Sequence, residues 1–141
     1  TSDMKKIIVV MGAPCSGKTT YVLRHLTSND LLYDFDKLMY AFTNTRMSKN
    51  LISFVIQLRL DIINEFIRNN NYTRLFLITT KLTPMIRNQL RFLPYELVVM
   101  KTSKETCLKR LKEDTKRPNH ERLEKVIINW FSDKNNLNKN G

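Results

Sequence analysis

The eight residues from Gly12 to Thr19 constrain this sequence more than any other stretch. They read G-A-P-C-S-G-K-T and match the pattern G-x-x-x-x-G-K-[ST] without a gap. Glycine at 12 and 17 allows backbone torsions and close approaches that a Cβ would block, so successive N–H groups can face phosphate oxygens. Lys18 is expected to reach the β and γ phosphates, and the Thr19 hydroxyl to bind the Mg²⁺ of a nucleotide. The predicted phosphate-binding residues are Gly12, Ala13, Pro14, Cys15, Ser16, Gly17, Lys18, Thr19 and Thr20.

Both flanks of this motif support the same interpretation. Residues 7–11 form a short continuous apolar run, as expected of a strand that is buried on both faces of a parallel sheet. Residues 19–26 can form a helix whose first turn presents free N–H groups and the positive end of its dipole to the phosphates. The alternative is a strand–helix turn with an unrelated lysine, and the coincidence of motif and context favours a site for a nucleoside triphosphate.

The rest of the chain alternates strand-like apolar runs with helical patterns. In 141 residues, this alternation predicts one three-layer α/β domain, whose mostly parallel sheet of four or five strands is flanked by helices. We expect the domain to span residues 4–134, after a cloning remnant at residues 1–3 and before a flexible tail at residues 135–141. The predicted strands cover residues 7–11, 31–36, 74–80 and 96–100.

Asp34 and Asp36 stand at the end of the second predicted strand. Residues two apart in a strand share a face, and ligands bind at the carboxyl ends of the strands in open α/β sheets. Beside a triphosphate, these two carboxylates could hold the water shell of Mg²⁺ and accept a hydroxyl proton. The alternative is a pair of turn acids that cap the following helix.

Basic residues are expected near the same edge of the sheet. Arg110 and Arg117 are seven residues apart, which is two helical turns if their helix continues, so both could face the phosphates. A solvated basic helix end is the alternative. Arg46, in a polar loop, is a further candidate for anion binding, although a solvated arginine explains it more simply.

Composition restricts the partners and the compartment. Lysine and arginine total 24 against 13 acids, and the resulting net charge of +11 would attract a nucleotide, DNA or RNA, although basic residues are also common solubilising groups. No apolar run approaches the ~20 residues of a membrane span, so a cytoplasmic protein without a membrane partner is expected. Cys15 and Cys107 have no evident disulfide role, and two histidines without a Cys/His cluster do not support a structural zinc site.

Four stretches share one resemblance: residues 12–21, 34–36, 79–87 and 107–118. In this order, they are similar to the small P-loop kinases of the polynucleotide-kinase and adenylate-kinase-like class. The likeness is strongest to the stand-alone, AAA-type predicted kinases that are common in bacteriophage genomes. It implies a P-loop NTPase fold with ATP and Mg²⁺ as cofactors. It also implies that Asp36 contacts the acceptor hydroxyl and that Arg110 and Arg117 are lid residues gripping the donor phosphates.

Two features depart from the pattern of that family. The family's third strand ends in Asp-Thr-Asn-Leu-Asn-Pro-x-x-Arg, whereas here Thr79 replaces the aspartate and Lys81 the asparagine. The family's arginine three residues after its strand-two aspartate falls on Met39. The missing third-strand aspartate affects the binding of Mg²⁺, unless Asp34 takes over its role. The missing arginine affects recognition of the acceptor phosphate.

Two functions are open at the level of sequence. The first is an ATP-dependent kinase that transfers the γ-phosphoryl group to a 5′-hydroxyl of nucleic acid or to a nucleotide, with Lys18, Asp36, Arg110 and Arg117 in catalysis. The second is a nucleotide-dependent module that binds nucleic acid or protein and does little chemistry. The missing third-strand acid and the charge of +11 favour the second. A third function, that of an ATPase motor subunit, is less favoured. Such a subunit requires an acid at the end of the third strand and a chain long enough for a lid domain.

Overall fold

A four-stranded sheet forms the centre of the fold. The structure is a computed structural model that describes residues 5–45 and 47–138. The anion-binding candidate Arg46, the expected remnant at 1–3 and the end of the expected tail therefore lie outside the described residues. The strands are β1 (Lys6–Met11), β2 (Asp30–Tyr33), β3 (Arg74–Thr79) and β4 (Glu96–Val99).

All strand pairs are parallel, and the strand order is β2-β3-β1-β4. The end of β1 is aligned with the ends of both neighbours, since Met11 is opposite Thr79 on one side and Val99 on the other. The carboxyl ends of the strands consequently meet at one edge, where ligands bind in sheets of this kind. The predicted α/β class with a parallel sheet is confirmed, with four strands in the described residues.

The helices cover both faces of the sheet. Ile7 and Val9 pack against residues of the third and fourth helices, whereas Ile8 and Val10 pack with Val22 of the first helix. This two-sided burial explains why β1 is apolar at every position from 7 to 11. The helices are α1 (Lys18–His25), α2 (Phe35–Thr43), α3 (Ile52–Arg68), α4 (Pro84–Gln89), α5 (Lys104–Glu113), α6 (His120–Ser132) and α7 (Lys134–Asn138), with a 3₁₀ turn at Lys49–Leu51.

The second strand is shorter than its sequence predicts. It ends at Tyr33, and Asp34 is the N-cap of α2, where its side chain accepts hydrogen bonds from the backbone N–H groups of Asp36 and Lys37. Asp36 lies in the first turn of α2. The prediction that both acids belong to the strand is wrong, because a carboxylate two residues before free helical N–H groups stabilises a helix start instead.

The helix that carries Arg110 does not continue to Arg117. α5 ends at Glu113, and α6 begins after Asn119, which has a left-handed backbone with φ of 57°. Pro118 precedes this turn, and proline disfavours helical backbone in the residue before it. The two arginines are therefore on different segments, α5 and the α5–α6 connection.

Beyond α6, the described chain continues as the short helix α7. The side chain of Asn136 is buried there and donates a hydrogen bond to the Trp130 carbonyl over 3.1 Å. Residues 135–138 of the predicted flexible tail belong to this helix, and the contact joins Asn136 to α6. Among the described residues, no helix combines the length and apolar character needed to cross a membrane.

Candidate functional site

The loop between β1 and α1 turns sharply at the carboxyl edge of the sheet. Its backbone is left-handed at Cys15, with φ of 65°, and at Gly17, with φ of 90°. Such turns direct successive N–H groups to one side and form an anion-binding concavity. In the described chain, no side chain caps α1, whose first N–H groups follow directly on this turn. The phosphate-binding role of this loop stays a prediction.

Close packing under the loop explains the first glycine. A Cβ at Gly12 would lie 2.5 Å from Ser16 Oγ and 2.9 Å from Met100 Cγ, so any other residue there would force these side chains to shift. The Ser16 carbonyl accepts a hydrogen bond from Thr102 Oγ1 over 2.7 Å, which ties the loop to the β4–α5 connection. The Ser16 hydroxyl is buried and makes no hydrogen bond within the described chain, although it lines the cleft beside the loop. A bound anion would satisfy this group.

Lys18 places its ammonium over the loop. Nζ donates to the Gly12 carbonyl over 2.6 Å and to the Ala13 carbonyl over 3.1 Å. Burial lowers the pKa of Lys18 from 10.5 to about 8, against the opposing fields of Asp36 and Asp34, which raise it. A cation that is desolvated in this way has much to gain from phosphate oxygens.

Two acids lie on the other side of the loop. Asp34 is 8% exposed, and while its Oδ1 caps α2, its Oδ2 accepts a hydrogen bond from Thr19 Oγ1 over 3.2 Å. Asp36 is exposed and lines the same cleft. Asp34 is therefore a helix cap and a neighbour of Thr19, and its predicted role toward Mg²⁺ stays a prediction. The structure brings Lys18, Thr19, Asp34 and Asp36 to one site.

The end of β3 contributes no carboxylate to this site. Thr79 lies beside the loop, where its carbonyl accepts from the Gly12 N–H over 3.2 Å, but its hydroxyl donates to the Lys81 carbonyl. No group of three His, Cys, Asp or Glu that could hold a metal occurs in residues 5–45 and 47–138. Mg²⁺ commonly binds proteins through one or two side chains together with substrate phosphates. The pair formed by Thr19 and Asp34 fits that mode of binding.

A cleft of about 1280 Å³ adjoins the loop, and Arg110 and Arg117 form a basic wall in its lining. Arg110 Nη1 donates to the Cys15 carbonyl over 3.2 Å, which places the guanidinium at the phosphate loop. Arg117 lines the same cleft and pairs with Asp114 over 3.4 Å. The two arginines thus converge on the cleft although no single helix carries them both.

Several cleft residues were not singled out from the sequence. Arg24 follows Thr20 at four-residue spacing on α1, and Lys37 directly follows Asp36, so proximity to predicted residues is a signal that could have identified both. Tyr21 directly follows Thr20, and Tyr40 follows Asp36 at four-residue spacing, so the same signal applies to both. Four further cleft residues come from more distant segments and have no comparable signal: Met47, Arg122, Leu123 and Val126. Met39, where the resembling family has an arginine, is fully buried and packs into the core instead.

Comparison with known proteins bears on the fold. No family model and no curated protein matches the chain. Among solved structures, the chain is similar to one in "Structure of the Pnkp1/Rnl/Hen1 RNA repair complex", with a TM-score of 0.69 and 17% identity. The match covers 94% of this chain and 46% of that one, so this protein spans about half the length of its structural neighbour. At this identity, the likeness shows a shared α/β architecture.

Proposed function

We propose that this protein is an ATP-dependent phosphotransferase that moves the γ-phosphoryl group to a hydroxyl of a nucleic acid 5′ end or of a nucleotide. The single observation that carries the proposal is the convergence of Lys18, Asp36 and Arg110 on one cleft at the carboxyl edge of the sheet. Phosphoryl transfer needs charge stabilisation on the transferred group and a base for the attacking hydroxyl, and these side chains supply both. The polynucleotide-kinase resemblance of the sequence agrees with this assignment.

Each residue has a distinct role in the proposed reaction. Asp36 accepts the proton of the acceptor hydroxyl as the new P–O bond forms and the bond to the ADP leaving group breaks. Lys18 and the loop N–H groups hold the donor phosphates, while Arg110 and Arg117 stabilise the charge that spreads over the transferred oxygens. Thr19, with Asp34 behind it, would hold Mg²⁺, which neutralises charge between the β and γ phosphates.

A second candidate is a nucleotide-dependent binding module with little turnover. The absence of an acid at Thr79 and the engagement of Asp34 as a helix cap favour it, because both reduce the carboxylate available for Mg²⁺. Such a module would use nucleotide binding to order the loop and the basic wall. It would bind nucleotide as tightly as a kinase and transfer no phosphate.

The test is a transfer assay with γ-labelled ATP and Mg²⁺. The acceptors are 5′-hydroxyl DNA, 5′-hydroxyl RNA, nucleosides, nucleoside monophosphates and none. Label on one acceptor that vanishes in Lys18→Ala but persists in Lys112→Ala, an exposed α5 lysine outside the cleft lining, establishes the kinase. ATP binding without label on any acceptor establishes the module instead.

Asp36→Asn separates chemistry from binding. The amide keeps the shape of the side chain but cannot accept the hydroxyl proton, so transfer should fall by roughly 10²- to 10⁴-fold, the usual contribution of a general base. ATP affinity, measured by calorimetry, should stay within a fewfold of the parent protein. Equal loss of both properties would mean that Asp36 is structural.

A further inference from the structure

Asp114 joins the two arginines of the basic wall. At the end of α5, its backbone N–H donates to the Arg110 carbonyl over 3.0 Å. Arg110 Nη1 in turn donates to the Cys15 carbonyl of the phosphate loop. In the other direction along the chain, Asp114 Oδ2 accepts a hydrogen bond from Arg117 Nε over 3.4 Å. Asp114 therefore connects the two arginines at the point where the helix does not continue.

The connection between α5 and α6 is folded around Asp114. Its Oδ1 accepts from the backbone N–H of Lys116 over 3.1 Å, which forms an Asx turn. Its carbonyl accepts from the backbone N–H of Arg117 over 3.4 Å and from His120 Nε2 over 2.8 Å. Asp114, Lys116 and Arg117 all line the cleft beside the phosphate loop. The place of Arg117 in that lining thus depends on contacts made by Asp114.

The end of α6 has a similar turn without an arginine. Asp133 is the C-cap there, with φ of −81° and ψ of 108°, against −87° and 90° at Asp114. Its Oδ1 accepts from the Asn135 N–H over 2.9 Å, and its carbonyl accepts from the Asn136 N–H over 3.1 Å. Asn136 stands where Arg117 stands in the first turn, and its side chain donates to the Trp130 carbonyl instead. The turn alone therefore does not account for the bond between Asp114 and Arg117.

The geometry of this bond suits the positioning of a cation. The Arg117 and Asp114 side chains are 24% and 35% exposed, so their ion pair is screened less than a pair on the open surface. A guanidinium that is held through Nε can still present its two terminal nitrogens to phosphate oxygens. Holding the long side chain in place beforehand also reduces the entropy that it loses when an anion binds.

We propose that Asp114 is a positioning residue, which holds Arg117 in the orientation in which its guanidinium meets the γ-phosphate of bound ATP. This inference rests on the proposed function for the contact between Arg117 and that phosphate. The sign of the effect on ATP affinity separates positioning from simple electrostatics. Removing a negative charge from the cleft would by itself strengthen the binding of an anion, whereas loss of positioning weakens it.

A double-mutant cycle on MgATP affinity, measured by calorimetry, tests the proposal without requiring transfer. Arg117→Gln should weaken binding by roughly 10- to 100-fold, the range for loss of a hydrogen bond to a charged group. Asp114→Asn keeps an Oδ1 acceptor for the turn, and it should weaken binding by about twofold or more, the lower limit for directly coupled side chains. In the Arg117→Gln background, Asp114→Asn should not weaken binding, because no guanidinium remains to be held.

Asp133→Asn is the matched control, because it makes the same exchange in the similar turn outside the cleft lining. It should bind MgATP as the parent protein does, and all single variants should keep the parent's thermal unfolding. The proposal is overturned if Asp114→Asn binds MgATP at least as tightly as the parent, if it weakens binding equally in both backgrounds, or if Arg117→Gln has no effect. Unfolding of Asp114→Asn but not of Asp133→Asn would also overturn it, since Asp114 would then serve the fold. Absence of label transfer with an intact cycle would overturn the proposed function alone.

Discussion

At the scale of single residues, the burial of Lys18 favours the binding of an anion. Its ammonium is held by two loop carbonyls in a largely desolvated position, and burial lowers its pKa to about 8. The free protein therefore keeps the charged form at some expense of free energy. Phosphate oxygens would reverse this balance by favouring the charged form.

The pH dependence of nucleotide affinity follows from the Lys18 pKa. Phosphates stabilise the charged ammonium and raise its pKa in the complex. Affinity should thus be full below pH 8 and fall as pH rises above 8, by up to roughly tenfold per pH unit, until the pKa of the complex is reached. Calorimetry between pH 7 and 9.5, in buffers of different ionisation enthalpy, should show proton uptake that approaches one per nucleotide above pH 8.

Lys18→Arg is the control for this titration. A guanidinium stays charged throughout the range, so its affinity, although reduced by altered geometry, should not decline across pH 8 to 9.5. A parent protein whose affinity is constant from pH 7 to 9.5 would contradict the assignment of the titrating group.

At the residue level, the sequence is most informative where a motif fixes both spacing and backbone. The loop from Gly12 to Thr19 is such a case, because the motif calls for a glycine where Gly17 has a left-handed backbone. The catalytic roles of Asp36, Arg110 and Arg117 stay predictions, although all three residues line the cleft beside the phosphate loop. Met47 could not be identified, since an exposed apolar residue has no distinguishing pattern until the fold places it at a cleft.

At the scale of elements, the strands and helices followed from periodicity, and the errors lay at their ends. β2 was expected to run to residue 36 but ends at Tyr33. The sequence left open a continuation of α5 to Arg117, but the helix ends at Glu113. In both cases a capping or turn residue outweighed the apolar pattern, because unpaired helical N–H and C=O groups need partners. Boundaries depend on such local competition, whereas the existence of an element depends on a whole apolar face.

The start of α2 provides the prediction at this scale. Asp34 caps the helix and also accepts from Thr19, so its two functions can be separated by two substitutions. Asn is as good an N-cap as Asp, so Asp34→Asn should retain stability but weaken Mg²⁺-dependent nucleotide binding through the lost charge. Asp34→Ala should show the same binding defect and also lose about 1 kcal/mol of unfolding free energy. Urea denaturation and calorimetry at varied Mg²⁺ measure the two effects.

The two outcomes have opposite meanings for the missing third-strand acid. If both variants bind Mg²⁺-nucleotide as the parent does, Asp34 is only a cap, and no carboxylate behind Thr19 supports the metal. If both variants lose the Mg²⁺ dependence while Asp34→Asn retains stability, Asp34 has replaced the acid absent at Thr79.

At the scale of the whole molecule, the phosphate loop is tied to every layer of the fold near it. Its backbone is bonded to β3 through Thr79, to the β4–α5 connection through Thr102 and to α5 through Arg110. Trp130 of α6 donates to the Thr80 carbonyl over 2.6 Å, which joins the last long helix to the same edge. Ordering the loop with a ligand should therefore stabilise the domain as a unit.

Thermal unfolding tests this coupling. A nucleotide with Mg²⁺ at about 100 times its dissociation constant adds about 2.7 kcal/mol to the unfolding free energy, which for a domain of this size raises Tm by on the order of 10 °C. Trp130, the single tryptophan, is buried against the sheet, so its fluorescence reports the transition. Lys18→Ala should remove the shift because its loop lacks the cation, while Lys112→Ala should keep it. An equal shift in Lys18→Ala would place the nucleotide away from the loop, and then neither the kinase nor the binding module would have its proposed site.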